Sequence, residues 1–377
     1  MSTDKSCCDK GNDTMDKVIG LRHLLHQNAE LSLHEDNTRK IISDFIRTNT
    51  PLTPVEEDGC VYAIYDTGAE KNVALRADID ALPIAESEGE YRSQNSHVSH
   101  RCGHDGHTAA LCGAMAELTR NGCKNNVVFI FQKGEEIGAG GECAAAILKR
   151  FGVSRVYGWH NIPGFERGSV LMREGTFCCG SCGIIVELEG TSAHAAYPEY
   201  GVSPADTIES ILSFVRTLNE RNTRGLLHCT VIGIDCGGSD FGIAAYSGKV
   251  MLTLRGEHND EYEDAKAELE DFVRQCAEKN LLKCSISYSD VFPPAENSLN
   301  AVHTLEQVCI ENNFKYIKPD EPFRWSEDFG YYTRELDGCF FGIGDGENYP
   351  TLHTMQYDFP DEILKRAVKL LVCLANT

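Results

Sequence analysis

The 377-residue sequence predicts an α/β fold, a mixed sheet flanked by helices, interrupted by a smaller α+β (ferredoxin-like) domain. Three observations carry this expectation. Strand-like and helix-like segments alternate from "VYAIYD" to "VSRVYGWH", as in a sheet covered on both faces. The middle of the chain changes to a β-α-β-β-α-β order, and the α/β pattern resumes after "VFPPAENS". The chain also exceeds the roughly 250–300 residues at which a single core stops growing. The boundaries expected are 1–175 with 291–377 for a discontinuous main domain, and 176–290 for the insert.

Taken in order, the polar "MSTDKSCCDKGNDTMDK" reads as a disordered tail, and Cys7 and Cys8 within it receive no role. Ile19, Leu21, Leu24 and Leu25 recur at helical spacing, as do Ile41, Ile42, Phe45 and Ile46, giving two helices joined by "NAELSLHEDN". Glu56-Glu57 reads as a solvated acidic turn. "VYAIYD" and "NVALRADIDAL" read as strands. "GHTAALCGAMAELTRNG" has an apolar stripe at Leu111, Ala114, Met115 and Leu118 and a stop at Asn121-Gly122, so it reads as a helix. "NNVVFIFQ" is the fully apolar run of a buried parallel strand, "GGECAAAILKRFG" a helix and "VSRVYGWH" a strand. In the insert, "CGIIVELEG", "LLHCTVIGI", "KVMLTLRGEH" and "KCSISYSD" supply four strands. "SPADTIESILSFVRTLNE" and "DEYEDAKAELEDFVRQCAEKN" supply its two helices. "AVHTLEQVCIENN", "CFFGIGDG" and "DEILKRAVKLLVCLAN" then return helix, strand and helix. The insert's edge strands need covering, and a second copy of the chain is one way to cover them, so a homodimer through this domain is expected.

Composition narrows the function class. Lys and Arg number 35 against 57 Asp and Glu, a formal net charge of −22. Such a surface repels phosphate backbones and anionic lipid, so neither nucleic acid nor membrane is an expected partner. No apolar stretch reaches the roughly 18 residues of a membrane-crossing helix, and the first residues lack the apolar core of a secretory signal. A cytoplasmic location with 17 cysteines as free thiols is the expectation. "FCCGSC" (177–182) has no matching Cys/His pair at zinc-finger spacing and is not expected to hold a structural metal.

Metal-ligand residue types follow strand after strand of the main domain. Asp78 and Asp80 follow "VALR", Glu135 and Glu136 follow "VVFIF", His160 follows "VYGW", and His353 follows "FFGIG" through a loop. Open α/β sheets bind ligands outside the carboxyl ends of their strands. The richest segment, "SHRCGHDGHTA" (99–109), lies just before a helix. Cys102 and His104 stand two apart around Gly103, so both side chains face one side of the chain and can reach one metal. A buried thiol and a hydrogen-bonded histidine at a helix start are the plain alternatives. Glu135 and Glu136 repel one another unless a cation is near, and such a pair can divide the work between ligand and general base. Asp105 is expected to orient a ligand, and His107 to begin the helix and support the site from behind.

A cysteine nucleophile at Cys102 with His104 as base would leave the other strand-end residues unexplained. His23, His26 and His34 read as packing or surface residues, and His97 and His100 as flanking the site loop. His228, His258 and His303 have no supporting neighbours. His194, in "EGTSAHAAYP", sits in a loop of small residues just past a strand of the insert, as a lid residue entering an active site would.

"LRADIDALPI", "HRCGHDGHTA", "GEE", "GWHNIP", "GTSAHAAYP", "WSEDFGYY" and "PTLHTMQYDF" occur in that order. Together they resemble the metal-dependent amidohydrolases of the aminoacylase and carboxypeptidase superfamily. The branch resembled is that of hippurate hydrolases, N-acyl-amino-acid hydrolases and auxin-conjugate hydrolases, over about residues 18–370. The resemblance implies a zinc-peptidase-like catalytic domain and an inserted lid domain that mediates dimerisation. It implies two divalent metal ions per subunit held by Cys102, His104, Glu136, His160 and His353, with Glu135 as general base. Zn, Co or Ni suits a thiolate ligand, with Mn also admitted. His194 resembles the lid histidine that reaches a neighbouring subunit's site and polarises the scissile carbonyl, and Arg255 falls where the family has an arginine for a substrate carboxylate. Asp78, Asp80 and Asp105 would stand behind the ligands. Gly242 stands about where the family has a lid asparagine, and Thr354-Met355 where Ser-Pro is commoner. The substrate class implied is an N-acyl amino acid. A dipeptidase or carboxypeptidase with the same centre, and a catalytically silent relative that binds metal or a small molecule, are the rival readings.

Overall fold

The computed structural model describes residues 6–86 and 89–377, with the side chains of the first helix described from Thr14 onward. The chain divides into two compact units: residues 1–177 with 295–322 and 328–377, and residues 178–294 with 323–327. The short segment 323–327 therefore groups with the second unit.

The first unit opens with helices α1 (Ser6–Gln27) and α2 (Asp36–Asn49) and strands β1 (Val55–Glu57), β2 (Cys60–Tyr65) and β3 (Asn72–Asp78). Helix α3 (His104–Asn121), strand β4 (Asn126–Gln132), helix α4 (Gly141–Arg150) and strands β5 (Arg155–Pro163), β6 (Val170–Leu171) and β7 (Gly175–Cys178) follow. The second unit contains β8 (Gly180–Glu189), α5 (Ala205–Asn219), β9 (Leu227–Cys236), β10 (Ser247–Gly256), α6 (Asn259–Lys279) and β11 (Lys283–Phe292). The first unit resumes with β12 (Ala295–Asn297), α7 (Leu299–Glu311), β13 (Tyr316–Ile317), α8 (Gly330–Thr333), β14 (Asp337–Gly346) and α9 (Leu364–Ala375).

An eight-stranded sheet, ordered β1-β2-β4-β3-β5-β14-β6-β13, organises the first unit. Its centre is parallel: β3 pairs with β4 and β5, and β14 with β5. The apolar run of β4 is buried from Val127 to Gln132, as a strand covered on both faces must be. Helix α3 buries Leu111, Ala114, Met115 and Leu118 and most of its remaining circumference as well. Its small residues allow this. A Cβ on Gly113 would come within 2.8 Å of Val18 in α1 and 2.9 Å of Val368 in α9, so neighbouring helices close onto α3 from two directions.

The second unit is an antiparallel sheet of order β11-β8-β10-β9. Along β8, Cys182, Ile184, Val186 and Leu188 alternate inward. With Ile208, Ile211 and Val215 of α5 and Leu269 and Val273 of α6 they form one core. Cys178, Cys179 and Cys182 are fully buried, and among the described residues none of them belongs to a group able to hold a metal.

Two local readings are corrected. Helix α1 begins at Ser6, within the stretch read as a disordered tail, and the side chains of Cys7 and Cys8 lie outside the described residues. Glu56 and Glu57 form an edge strand rather than a turn, with Glu57 paired to Cys60. The turn is Asp58-Gly59, both at positive φ (50° and 77°), the two-residue hairpin geometry that an Asp-Gly pair favours.

Candidate metal centre

The parallel strands β3, β4 and β5 end side by side, and the functional side chains collect there. Asp78 closes β3 opposite Gln132 at the end of β4. Past β4, Gly134 and Gly138 adopt positive φ around a single 3₁₀ turn, Glu135–Ile137, which presents both carboxylates. His160 lies on β5. Gly103, at φ 100°, turns the chain into α3, so Cys102 precedes the helix and His104 opens it. No side chain larger than hydrogen fits at Gly103, because a Cβ there would stand 2.2 Å from Asn161 Oδ1. His353 also adopts positive φ (60°), uncommon for a side chain of its size, and its backbone N–H donates to the Arg101 carbonyl at 2.9 Å. That bond ties the late loop to the residue preceding Cys102.

Five of the expected residues converge on one sulfur or its neighbours. The Cys102 Sγ lies 3.3 Å from His160 Nε2 and 3.2 Å from His353 Nε2. Glu136 approaches His353 at 3.5 Å and His104 at 3.6 Å, and Glu135 approaches His104 at 3.8 Å. Three donor groups result, each with its atoms within 4.8 Å of one another: Cys102–His104–His160, Cys102–Glu136–His353 and His104–Glu135–Glu136. Cys102 is common to the first two.

The donor set fits divalent metal. His104 Nε2 and Glu136 Oε1 are buried without a hydrogen-bond partner, an arrangement that costs free energy unless something else binds them. Burial, with the Glu136, Glu135 and Asp78 carboxylates close by, holds the Cys102 thiol well above its ordinary range. Burial also lifts Glu136 to about 7, against the opposing charge of His104. His160 is pushed well below the usual imidazole range by burial and by His107, which keeps it a neutral donor. A cation reverses the penalty on the thiolate and the carboxylate together.

Buried aspartates hold these groups in place. Asp80 Oδ1 meets His104 Nδ1 at 3.2 Å, while Oδ2 accepts the Ser32 hydroxyl at 2.6 Å and the Glu136 N–H at 3.0 Å. Asp78 Oδ1 meets His107 Nδ1 at 2.6 Å, and His107 Nε2 meets Asn161 Oδ1 at 2.7 Å. His107 is thus committed through both nitrogens in the first turn of α3. Asp105 departs from expectation. It turns away from the grouped histidines to pair with His26 at 2.8 Å and Arg22 at 3.0 Å, anchoring α3 to α1. The 3.6-residue period explains this, since adjacent residues at a helix start face different sides.

His26 is correspondingly more than packing. It is buried and also meets Glu86 at 3.2 Å. His100 is fully buried with neither ring nitrogen hydrogen-bonded, and burial lowers it to about 4. His97 is exposed.

Other contributors escaped the sequence reading. Glu35 accepts the Gly134 N–H at 2.9 Å and steadies the loop bearing Glu135. Asn161 joins His107 to Tyr357 and Asp345. Asn161 follows His160 directly, a signal that was legible; Glu35 is distant in sequence and was not. In the second unit, His194 is exposed in a bridge to Ile243, and Arg255 donates to the Arg324 carbonyl at 3.0 Å and the Ser326 hydroxyl at 3.3 Å.

Residues 74–377 match peptidase family M20/M25/M40. The chain belongs to that family. An uncharacterized hydrolase of Staphylococcus haemolyticus is 30% identical over 363 residues, 91% of this chain and 93% of the relative. One from Staphylococcus saprophyticus is 30% identical over 364 residues, 92% and 93% of the two chains. A crystal structure from methicillin-resistant Staphylococcus aureus shares the fold at a TM-score of 0.86 and 25% identity, covering 97% of this chain and 98% of that one. A dinuclear metal binding peptidase of the M20 family from Bacillus subtilis shares it at 0.80 and 22%, over 97% and 98%. This M20 chain is accordingly a metal-dependent hydrolase, and the thiol, imidazoles and carboxylates above are its candidate ligands. Among its described residues no helix is long and apolar enough to cross a membrane.

Proposed function

We propose that this M20 hydrolase cleaves the amide bond of N-acyl amino acids, using two divalent ions per subunit. The observation that carries the reading is the Cys102 thiol shared between two donor triads, with Glu135 beside them. Cys102, His104, Glu136, His160 and His353 are the ligands. A thiolate among imidazoles and carboxylates favours Zn, Co or Ni, with Mn also accommodated, over Mg or Ca. When bound, the ions supply Lewis acidity that activates water and polarises the scissile carbonyl.

The chain's own residues then do the following. Glu135, buried and aimed at the same cluster, accepts the proton of the attacking water. It returns that proton to the nitrogen of the leaving amino acid. Asp80 fixes the His104 ring and the Glu136 backbone, and Asp78 fixes His107, so the ligands need little reorganisation. His194 polarises the carbonyl from a partner copy and Arg255 takes the substrate carboxylate; both roles rest on the sequence resemblance. The protein acts in the cytoplasm as a homodimer paired through the second unit.

Elemental analysis coupled to an amine-release screen over N-acetyl and N-benzoyl amino acids beside dipeptides tests the reading. Two ions per chain and preference for the acyl amino acids are expected; exclusive turnover of dipeptides would replace it with a dipeptidase. Glu135→Gln should lower turnover by about 10²–10⁴-fold at unchanged metal content. Activity within tenfold of wild type would remove Glu135 from the mechanism.

A further inference from the structure

Arg76, in "LRADIDALPI", and Asp328, in "WSEDFGYY", have no task in the mechanism above, yet both are buried in the first unit. The Arg76 guanidinium commits every nitrogen to a buried partner. Its Nε donates to Gln132 Oε1 at 3.0 Å, Nη1 to Asp78 Oδ2 at 2.8 Å and Nη2 to Asp328 Oδ1 at 2.8 Å. Asp328 is held in turn through both oxygens. The Gln132 amide donates to its Oδ1 at 2.9 Å and its Oδ2 at 2.7 Å, and the Gly141 N–H donates to Oδ2 at 2.8 Å. A Cβ on Gly141 would stand 2.5 Å from the Asp328 carbonyl oxygen, so this approach needs glycine. The Tyr332 hydroxyl donates to Gln132 Oε1 at 2.8 Å and closes the network. A planar fork held between two carboxylates and an amide keeps one orientation.

Asp78 is the residue on which this clamp bears. Its Oδ1 meets His107 Nδ1 at 2.6 Å, and its Oδ2 lies 3.8 Å from His104 Nε2. Glu135 and Glu136 stand 3.8 Å and 3.6 Å from the same nitrogen. Two donors on one zinc ion, each at about 2.0–2.2 Å and near the tetrahedral angle, are roughly 3.4 Å apart. Distance therefore does not separate Asp78 from the glutamates, and Asp78 forms a donor group of its own with His104 and His107. Arg76 sets Asp78 apart. Its charge-assisted bond occupies Oδ2, and its positive charge opposes a second cation at that oxygen.

We propose that Arg76 is a positioning residue that keeps Asp78 out of the metal coordination sphere, with Asp328 and Gln132 holding Arg76 in place. This rests on the ligand assignment above, in which His104 binds one of the ions. Asp78 is thereby confined to supporting His107, and the ion at His104 keeps a position open for water and substrate instead of a further carboxylate. Loss of Arg76 then has a signed consequence. Released Asp78 joins the ion at His104, so metal is bound more tightly and by more ligands. A residue that served packing alone would, when removed, loosen the metal or leave it unchanged.

The test uses the full chain, with zinc for chelator competition and cobalt(II) for visible spectroscopy. In Arg76→Met, one ion should be held about tenfold more tightly than in wild type. Its cobalt absorption should weaken as the coordination number rises. Combining Arg76→Met with Asp78→Asn should return affinity and absorption to those of Asp78→Asn alone. Asp78→Asn in a chain that keeps Arg76 should leave the cobalt spectrum of wild type, a result that decides the matter even if Arg76→Met does not fold. Weaker or unchanged metal binding in folded Arg76→Met would overturn the proposal and leave the two-metal reading intact. So would a gain that survives Asp78→Asn, or an altered cobalt spectrum in Asp78→Asn alone. Wild type that binds no ion would overturn the ligand assignment and the proposal with it.

Discussion

His353 and Cys102 are 251 residues apart in sequence, yet the His353 Nε2 stands 3.2 Å from the Cys102 Sγ. On the same sulfur, His160 stands at 3.3 Å. The thiol is therefore the joint between a group completed by His104 and His160 and a group completed by Glu136 and His353.

This joint makes an asymmetric prediction. Cys102→Ala removes a donor from both groups, so bound metal should fall toward zero. His353→Ala removes a donor from one group and should leave about one ion per chain. Elemental analysis of the two variants after gel filtration reads the difference directly. Equal losses in the two variants would deny Cys102 its shared role.

Much of this centre was legible before the structure because strand ends in an open α/β sheet are forced together. Asp78, Glu135 and His160 each follow an apolar run, and parallel pairing of β3 with β4 and β5 brings those run ends into register. What stayed hidden depends on directions that spacing does not encode. Asp105 is one residue from His104, but one residue is about 100° around a helix, so it faces α1 instead of the site. His26 carried no neighbouring motif, and its partners Asp105 and Glu86 lie 79 and 60 residues away. Of the local features, Asp58-Gly59 could have been read as a hairpin turn, since the pair supplies the two positive-φ positions that the turn needs.

The His26 network predicts a pH-dependent contribution to stability. Burial disfavours the charged imidazole, but hydrogen bonds to Asp105 and Glu86 outweigh it and raise His26 to about 9 from an ordinary 6.5. A folded value above the unfolded one means the contribution is complete below about pH 6.5 and is lost as pH rises through about 9. Its size is on the order of 3 kcal/mol. Urea unfolding of wild type and His26→Gln at pH 6 and pH 10 should show a stability gap at pH 6 that shrinks at pH 10. A gap that widened with pH would mean that His26 is neutral in the folded protein.

Gly103→Ala tests the turn that aims Cys102 and His104. Alanine is strained at φ 100°, and its Cβ would overlap the Asn161 carboxamide. Asn161 cannot retreat freely, because it holds His107, Asp345 and Tyr357. A loss of about 2–4 kcal/mol in folding stability is expected from combined backbone strain and overpacking. Metal content should fall with it, since relief requires the segment between Cys102 and His104 to move. Wild-type stability and metal content together in Gly103→Ala would contradict the crowding described here.

Asp80→Asn asks whether the support behind the candidate ligands matters as much as the candidate ligands themselves. The two Asp80 oxygens serve different clients: Oδ1 faces the His104 ring, and Oδ2 receives both the Ser32 hydroxyl and the Glu136 N–H. Asparagine has nearly the same shape but only one acceptor oxygen. If its oxygen faces His104, its amide N–H confronts the Glu136 N–H; if it faces Glu136, the amide confronts His104 Nδ1 and favours the tautomer that carries its proton on Nε2. Either orientation weakens one metal-facing group, and the second one blocks the nitrogen that points into the cluster. Metal affinity should drop by about 10–100-fold while the fold persists. Competition against a chelator measures the affinity, and circular dichroism checks the fold. Unchanged affinity in Asp80→Asn would show that packing alone orients His104 and Glu136.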